Sequence, residues 1–585
     1  MWESNLIKNF LTYVSRYRKI ALIVIVVLSL FLYLWPYWLK SYSRKYVDPI
    51  LLCEERSLHP YLRALSSHDA LVEHEPSVAE DKTFLPYVGN GYFGLSVLHD
   101  SRVYIQNDRT LSEGLGISPI ISAQAKGYIS RAVVVLDLLN GIVERTQCFQ
   151  LGSVCVGITT KIYAHRTKPS LLIQDIRISN PTAEPVTLDI ELTGFGDGFT
   201  IRKKKEDMAL GRTIVKDKKI GVAIMNIPES LTIKSGGALS FHHITSIVVV
   251  AKDTPDKMVL EKAEKDLVDA QKTKDLEMQH KSVWRHLWTH GFSISDSKAS
   301  GALNGDRINL TLYYVLSNTP ALLHEPIDKA EVTKLRTYLA YPDRCYEGHH
   351  TLQNDVLWKT VESDNDVQSL ASTWLLTLDK LGCSQMMKAG ADGIMQAMVL
   401  SCGALKFKNF HLELSMQHSD LDRVMHWRRV HYGNNTHVNI TVLVRDDNRP
   451  QIIVSLDRND KPYYACSAGC TDLYSLSETP QILPVKITKP LTALLYITSD
   501  KKHMQELRKT IHFKEIKDAP AHSQGILAVH KHGTHYGGLP ALFWISIASL
   551  IAIFHLFLLK IVLNEYCMTD NLAKEQRYPR PRYTV

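Results

Sequence analysis

Residues 539–559, LPALFWISIASLIAIFHLFLL, form an almost unbroken apolar stretch near the end of this 585-residue chain. Only His555 within the stretch could readily carry a charge. A helix rises about 1.5 Å per residue, so about 21 residues span roughly 31 Å and match a bilayer core about 30 Å thick. Because that core offers no water to the backbone, the stretch must be helical there. We predict a transmembrane helix at 539–559, with a buried helix of a soluble protein as the alternative.

The charges beside this stretch predict its orientation. Lys531 is the only lysine or arginine in the approach, residues 525–538, whereas five follow the stretch: Lys560, Lys574, Arg577, Arg580 and Arg582. Basic flanks stay on the cytoplasmic side, so the tail 560–585 is predicted to be cytoplasmic and the preceding chain lumenal. Cys567 would then be a juxtamembrane thiol suited to S-palmitoylation. The Arg-Pro-Arg triplet at 580–582 resembles retrieval signals of the endoplasmic reticulum, which favours an endoplasmic reticulum or Golgi membrane.

A second apolar run, Ile20–Leu39, lies between basic residues near the N-terminus. A cleaved signal peptide has a shorter apolar core, about 7–15 residues, followed by small residues at the cleavage site. This run is longer, about 20 residues, and ends in the bulky Pro36-Tyr-Trp-Leu39. We predict an uncleaved signal-anchor at 20–39 after a cytoplasmic tail at 1–19, with cleavage as the alternative. Residues 41–538 would then be lumenal.

The cysteines fit an oxidising compartment. Apart from Cys567, eight lie in the predicted lumenal part, and their pairing cannot be deduced from sequence: Cys53, Cys148, Cys155, Cys345, Cys383, Cys402, Cys466 and Cys470. Cys466 ends a predicted strand and a turn of Ser467-Ala-Gly469 follows, so a local disulfide to Cys470 is predicted. Zinc is the alternative for this pair, but no second ligand pair follows at finger spacing. We predict no metal and no cofactor.

Three glycosylation sequons fall in the same part of the chain, at Asn309, Asn434 and Asn439, which agrees with a lumenal location. A fourth, at Asn180, is excluded by its proline. The net charge of +8 is modest, and no basic stripe is interleaved with aromatic residues. Nucleic acid is therefore not an expected partner.

The hydrophobic pattern divides the predicted lumenal part into successive segments of an α+β fold. Period-two alternation marks Ile173–Ser179 and Val186–Leu192 as a half-buried hairpin around Asn180-Pro181. Helical spacing begins after Thr254 and dominates up to Cys402. We predict a β-sandwich at 41–253, a linker of one long helix or two at 254–291, a helical block at 302–402, a β-domain at 403–515 and a polar, histidine-rich stalk at 516–538. Within the helical block we expect helices at Ile308–Leu316, Ala330–Leu339, Asp366–Leu381 and Gly393–Ser401.

Three segments carry a resemblance to a known enzyme family. Val88-Gly-Asn-Gly-Tyr-Phe-Gly94, Tyr346-Glu-Gly-His-His350 and Gly393–Leu405 occur in the same order as three segments of glycoside hydrolase family 65, which includes sugar phosphorylases. The sequence of sandwich, linker helix, helical block and small β-domain also resembles that family. More closely, nearly the whole chain resembles an uncharacterised animal family of membrane proteins with a domain of unknown function, which implies no activity.

The chain departs from the enzymes at the catalytic domain. Their twelve-helix (α/α)6 barrel needs roughly 200 residues, counting helices of about 12 residues and connections of about 5. The segment from Ala302 to Cys402 supplies about half of that length, and no residue aligns with the general-acid glutamate of the family.

Glycoside cleavage requires two carboxyl groups at a defined separation. Glu347 and Asp392 are the candidates in the helical block, where solvated surface carboxylates are the alternative reading. His349 and His350 could bind a metal or a sugar hydroxyl, with a structural role as the alternative. The stalk histidines, among them His522, could sense lumenal pH or simply be solvated.

We therefore predict a glycosylated membrane protein of the early secretory pathway whose lumenal domain has lost catalysis and binds a glycan or a protein client. A concave face with Tyr346, His349 and Trp358 would serve the glycan. Two alternatives remain open. The domain could be an active hydrolase or phosphorylase with a rearranged carboxylate pair, or a structural adaptor in a membrane complex.

Overall fold

The computed structural model describes residues 29, 31, 48–79, 81–98, 101–125, 127–152, 154–204, 207–340, 344–433, 435–458, 460–533 and 541–575. The predicted cytoplasmic N-terminal tail and, apart from Ser29 and Phe31, the predicted signal-anchor lie outside these residues. So do the sequon residue Asn434 and the last part of the C-terminal tail. Within the described residues the chain is a mixed α+β protein with six sheets.

The N-terminal part is built mainly of strands. Its elements are α1 (Pro49–Leu58), α2 (Leu62–Ser66), β1 (Ala70–Glu75), β2 (Tyr87–Gly89), β3 (Phe93–Ser96), β4 (Tyr104–Asn107), β5 (Thr110–Gly114), β6 (Ile117–Gln124), β7 (Ser130–Asp137), β8 (Ile142–Leu151), β9 (Val154–Ala164), β10 (Leu171–Ser179), β11 (Val186–Phe195), β12 (Thr200–Lys204), β13 (Met208–Val215), β14 (Lys218–Met225), β15 (Ser230–Ile233) and β16 (Ala238–Ala251).

These strands form three sheets. The largest has nine strands in the order β1-β7-β8-β9-β10-β16-β14-β13-β12, and the others are β15-β11-β6 and β2-β3-β4-β5. Phe149 and Ile176 of the nine-stranded sheet share one apolar cluster with Leu188 and Ile233 of the three-stranded sheet. Alternate residues of each strand supply this cluster, as the period-two pattern indicates.

The predicted hairpin of β10 and β11 is wrong, although both strands exist. β10 pairs with β9 and β16, whereas β11 pairs with β6 and β15. The Asn180 amide nitrogen donates hydrogen bonds to the carbonyls of Glu184, Ile233 and Lys234. This turn carries the chain from one sheet to the other, so the apolar faces of β10 and β11 meet instead of their edges.

The middle part is mainly helical, and the predicted linker consists of two helices. Its elements are α3 (Asp256–Lys272), α4 (Leu276–Thr289), β17 (Gly291–Ile294), α5 (Gly305–Ser317), α6 (Lys329–Ala340), α7 (Asp364–Leu378), α8 (Ser384–Met387) and α9 (Ala391–Cys402), with 3-10 turns at Leu322–His324, Thr351–Gln353 and Asp355–Trp358. All four helices expected in the helical block are present. α3 lies on β14 and β16, and α4 buries Trp284 and Trp288 in the main core.

The C-terminal part returns to strands and ends in a long helix. Its elements are β18 (Leu405–Lys408), β19 (His411–Leu414), β20 (Met425–Tyr432), β21 (Thr436–Val444), β22 (Pro450–Arg458), β23 (Tyr463–Ser467), β24 (Tyr474–Leu476), β25 (Gln481–Pro484), β26 (Lys486–Lys489), β27 (Leu495–Thr498), α10 (Lys501–Thr510), β28 (Glu515–Asp518), α11 (Gln524–His532) and α12 (Ala541–Glu575). The sheets are β17-β20-β21-β22-β25, β18-β19-β27-β23-β24 and β26-β28. β17, from the end of the linker, completes the first of them.

Three disulfides join the described cysteines. Cys53–Cys148 ties α1 to β8, Cys345–Cys383 ties the segment after α6 to the turn after α7, and Cys466–Cys470 closes a local loop, with S–S distances of 1.95, 1.93 and 1.91 Å. Cys155 and Cys402 carry free thiols. The last pair is the one that the sequence predicts, and it packs against Met504 of α10.

The predicted stalk does not stand free of the domain over residues 516–533. β28 pairs with β26, and His522 Nε2 donates a hydrogen bond of 3.0 Å to the Leu421 carbonyl. His530 contacts Ser297 Oγ at 2.7 Å and Asp422 at 3.1 Å. The polar side chains of His522 and His530, which suggested a solvated linker, instead form hydrogen bonds with the surface of the domain.

One helix of the described residues is long and apolar enough to cross a membrane. It is the Leu542–Glu565 part of α12, whose most apolar window has a mean hydropathy of 2.4 and no buried residue. An apolar helix that buries nothing against its own protein is compatible with membrane anchoring.

Candidate functional site

A groove runs between the helical block and the C-terminal sheets, and the segment Tyr346–His350 lies along it. The larger part of the groove has a volume of about 1520 Å³, and a neighbouring part of about 620 Å³ shares several lining residues with it. The shared residues include His350, Gln353, Asp355 and Asp420. We call this feature the interdomain groove.

The groove segment is held rigidly at its base. The disulfide at Cys345 and a hydrogen bond of 3.0 Å from the Glu347 backbone N–H to the Leu381 carbonyl fix it to the end of α7. Tyr346 and Trp358 are only 2% and 3% exposed, so they form the floor and their ring faces belong to the core. Of the three residues predicted to form the concave face, His349 is the exposed one.

The acidic side chains held in the groove walls are kept ionised. Burial raises the pKa of Asp420, but hydrogen bonds from His350 and the Gln417 N–H outweigh it, so the pKa lies below its usual range. Burial likewise raises the pKa of Glu413, but the hydrogen bond from His411 and the charge of Lys406 outweigh this effect, so the pKa of Glu413 is lowered. Neither group has the raised pKa of a general acid.

The two predicted catalytic candidates, Glu347 and Asp392, lie in different surroundings. Glu347 is exposed beside the groove, and its described contact is the backbone bond to Leu381. Asp392 begins α9 and contacts His286 and His324. Asp392 does not line the interdomain groove beside which Glu347 lies, so the two carboxyl groups have different surroundings, and their pairing stays a prediction.

Asp392 instead borders a second site, the histidine cluster, defined by His286, His290, His324, His431 and His437. Ring centroids lie 4.9 Å apart for His286 and His324, 5.8 Å for His286 and His290, 4.7 Å for His290 and His431, and 4.5 Å for His431 and His437. The rings therefore form a continuous row from α4 to the β20–β21 pair.

The cluster contains two sets of possible metal ligands. One is His286, His324 and Asp392, and the other is His290, His431 and His437; in each set the ligand atoms lie within 4.8 Å of one another. His324 Nε2 is 3.3 Å from both carboxylate oxygens of Asp392, and His286 Nε2 is 3.6 Å from Oδ1.

Burial sets the charge of the cluster. It lowers the pKa of His290 and of His431 to about 3, with help from the neighbouring imidazoles. Burial also lowers the pKa of His286, although the charge of Asp392 opposes it. For Asp392 burial raises the pKa, but the hydrogen bond and charge of His324 outweigh it and the pKa is lowered. The cluster thus places the imidazoles of His286, His290 and His431, whose pKa values are lowered, beside the ionised carboxylate of Asp392.

No metal site is predicted from the sequence, yet two local patterns point to this cluster. His286 and His290 are four residues apart at the end of α4, which places them on one helical face. His431 and His437 are directly paired across β20 and β21. Neither pattern identifies the partner elements, because His324 and Asp392 are distant in sequence from both.

The described sequon asparagines are both engaged in the fold. The Asn309 amide donates a hydrogen bond of 2.9 Å to the His68 carbonyl, and Asn439 Oδ1 accepts one of 2.8 Å from the Arg429 N–H. Cys567 lies on α12, just after the apolar window. Glycosylation and acylation at these positions stay predictions.

The comparisons with known proteins give a family and a weak structural likeness. A family model described as "Uncharacterized conserved protein (DUF2152)" matches residues 6–580. The "Uncharacterized protein KIAA2013 homolog" of Xenopus tropicalis is 34% identical over 513 residues, covering 82% of each chain, and that of Xenopus laevis is 34% identical over 512 residues, covering 82% of this chain and 83% of its own. A solved structure described as "Putative kojibiose phosphorylase from human microbiome" is similar with a TM-score of 0.34 and 12% identity, over 55% of this chain and 50% of that chain.

Proposed function

The chain belongs to the DUF2152 family of uncharacterised conserved proteins, and we propose that it is a membrane-anchored protein of the early secretory pathway that binds a glycan without cleaving it. α12 is the anchor, and the domain before it is lumenal. The three disulfides support an oxidising compartment, since such bonds are rare in the cytosol. The basic tail supports a cytoplasmic C-terminus.

The interdomain groove is the proposed binding site. Its edge presents four exposed polar side chains from one short segment, His349, Gln353, Asn354 and Asp355, above the buried rings of Tyr346 and Trp358. Amide, imidazole and carboxylate groups supply both donors and acceptors, as a hydroxyl-rich ligand requires. A volume of about 1520 Å³ is larger than the usual small-molecule site of about 300–1,000 Å³, which suits an oligosaccharide.

The lowered pKa values of two carboxyl groups in the groove, Asp420 and Glu413, support the proposal that the protein does not cleave the bound glycan. General acid catalysis of glycoside cleavage needs a carboxyl group whose pKa is raised toward neutrality. Asp420 and Glu413 have lowered pKa values, and Asp420 accepts hydrogen bonds from Gln353 and the Gln417 N–H. The carboxylate oxygens of both residues form hydrogen bonds and ion pairs with neighbouring side chains of the groove walls.

A glycan array tests the binding. Full-length protein in detergent micelles should retain a defined glycan class, and the double change His349→Ala with Gln353→Ala should weaken retention at least about tenfold, because each lost hydrogen bond is worth about 1 kcal/mol. Arg177→Ala, at an exposed position on β10, is the matched control and should bind as the natural protein does. Folded protein that retains no glycan would refute the proposal and favour a protein client or an adaptor role.

A turnover assay tests the absence of cleavage. The same preparation is incubated with α- and β-linked disaccharides, with and without phosphate, and released sugar is measured. We expect none. Release that disappears in Glu347→Gln, Asp355→Asn or Asp392→Asn would establish the enzyme alternative.

A further inference from the structure

We propose that His286, His324 and Asp392 bind a divalent first-row transition-metal ion, with zinc as the representative ion. The three residues come from the last turn of α4, the 3-10 turn Leu322–His324 and the first turn of α9. This site lies apart from the lining of the interdomain groove and is independent of glycan binding.

The ligand atoms are already close to the spacing that a metal imposes. An ion about 2.0–2.2 Å from nitrogen and oxygen ligands holds those ligands roughly 3.0–3.5 Å from one another. The distances from Asp392 Oδ1 to His324 Nε2 and His286 Nε2 are 3.3 and 3.6 Å. Small side-chain rotations at His286 would complete the arrangement, and its half-exposed ring is free to make them.

The polar groups themselves point to a missing partner. The Asp392 side chain is only 8% exposed, and its Oδ2 accepts no hydrogen bond from any described residue. An oxygen of a buried carboxylate that accepts no hydrogen bond has lost its water without a replacement, which destabilises the site. His324 serves Oδ1, and a cation between Asp392 and the two imidazoles would supply the partner that Oδ2 lacks.

The neighbouring set of histidines is less suited to be the primary site. Both ring nitrogens of His437 have partners, since Nδ1 lies 3.0 Å from Asp457 and Nε2 lies 3.4 Å from the Arg458 guanidinium. The arginine charge would repel a second cation there. Within this set, only His290 and His431 keep a ring nitrogen without a hydrogen-bond partner, which is too few ligands for a primary site.

The donor set selects the class of ion. Two imidazoles and one carboxylate suit zinc, iron(II) and related ions, while the absence of thiolate from the set disfavours copper(I), and magnesium and calcium prefer oxygen ligands alone. Three protein ligands leave one or more coordination positions open, as in sites where the ion meets a water molecule or a substrate. The 51% exposed side chain of His286 gives solvent access to that position.

The test measures metal binding by the whole protein. Full-length chain carrying a histidine-free affinity tag is purified in detergent micelles, stripped with a chelator and titrated with Zn2+, and bound metal is counted by elemental analysis after gel filtration. Co2+ serves as a second probe through its visible absorption. We expect one ion per natural chain, with binding weakened at least about tenfold in His286→Gln and in Asp392→Asn, because loss of even an outer-sphere partner costs about 10- to 100-fold.

His431→Gln is the control from the neighbouring set and should bind Zn2+ as the natural chain does. His286→Gln decides the matter if Asp392→Asn fails to fold, because His286 is half exposed and its replacement leaves the core intact. Absence of stoichiometric binding to the natural chain would overturn the proposal. So would binding that survives in His286→Gln, or binding that His431→Gln abolishes to the same degree.

Discussion

His243 lies inside the nine-stranded sheet with both ring nitrogens engaged. The Gln174 side-chain nitrogen donates a hydrogen bond of 3.2 Å to His243 Nδ1. His243 Nε2 in turn donates one of 2.9 Å to the Met225 carbonyl. His165 is held in the same way, accepting from the Lys168 N–H and donating to the Leu276 carbonyl. Burial lowers the pKa of each to about 4. Both imidazoles are neutral parts of the buried structure. Their burial disfavours protonation in the native state.

The domain should therefore lose stability in mild acid. A histidine with a lowered folded pKa takes up its proton more readily when unfolded, so its contribution is full above about pH 6.5 and is lost as pH falls toward 4. At pH 5 we expect each of His165 and His243 to cost about 2 kcal/mol of unfolding free energy relative to pH 7. Urea unfolding of the intact protein, followed by tryptophan fluorescence, measures the loss.

The change His243→Gln should remove about half of the loss assigned to this pair, whereas His59→Gln, at an exposed position, should leave all of it. A pH dependence that is the same in His243→Gln and in the natural protein would contradict the role given to burial.

At the scale of elements, the turn Gly89–Gly94 and the end of α5 form one joint between the strand-rich and helical parts. The Gly91 N–H donates a hydrogen bond of 2.9 Å to the Ser317 carbonyl. Buried Arg166 donates to the Leu316 and Thr319 carbonyls at 2.8 and 2.6 Å. The last carbonyls of a helix have no partners within the helix, so these donors complete α5 with groups from another part of the fold.

Gly91→Ala should disrupt this joint. Gly91 has φ +88°, and a Cβ at this position would collide with the backbone of Thr319 and Pro320. We expect the unfolding free energy to fall by about 3 kcal/mol or more, since strain and a forced separation of two elements add together. Gly152→Ala is the control, because Gly152 has φ +60° with open space around it and should cost only about 1–2 kcal/mol. Equal losses in thermal or urea unfolding would show that collision plays no part.

The helices and strands could be predicted from the sequence more readily than the pairing and packing between them. Helical spacing and period-two alternation are local properties, so α5, α7, α9, β10 and β11 could be found in the sequence. The pairing of β10 and β11 could not, because alternation is the same for strands that pair and for strands that face each other. The histidine cluster was missed for a related reason. Its members lie between positions 286 and 437, and only the fold brings α4, α9 and β20 together.

At the scale of the whole molecule, α12 is set apart from everything before it. The described residues between 48 and 533 are joined by sheets, core clusters and three disulfides, whereas the apolar window Leu542–Glu565 contributes no buried residue. Exposure of an apolar helix of this length is unfavourable in water and favourable in the lipid bilayer. In the proposed topology the disulfides lie on the lumenal side, and the basic residues that follow the apolar stretch 539–559 lie on the cytoplasmic side.

Cys567 allows this topology to be tested with one thiol. It follows the apolar window and is the one cysteine in the predicted cytoplasmic tail, while the paired cysteines all precede α12. In intact microsomes a membrane-impermeant maleimide should label the natural protein, and Cys567→Ser should remove that labelling. The free thiols at Cys155 and Cys402, which are predicted to be lumenal, should react only after detergent is added and the protein is unfolded.

Protease and glycosidase treatments of the same microsomes complete the topology test. Epitopes at both termini should be digested while the region between them stays protected, because the predicted signal-anchor and α12 would place both ends in the cytoplasm. Endoglycosidase should reduce the mass if Asn309, Asn434 or Asn439 is glycosylated. A protected C-terminal epitope, or maleimide labelling that survives in Cys567→Ser before detergent, would reverse the orientation drawn from the basic tail. An N-terminal epitope that is protected or missing would refute the signal-anchor alone, since the charges that orient α12 do not depend on residues 20–39.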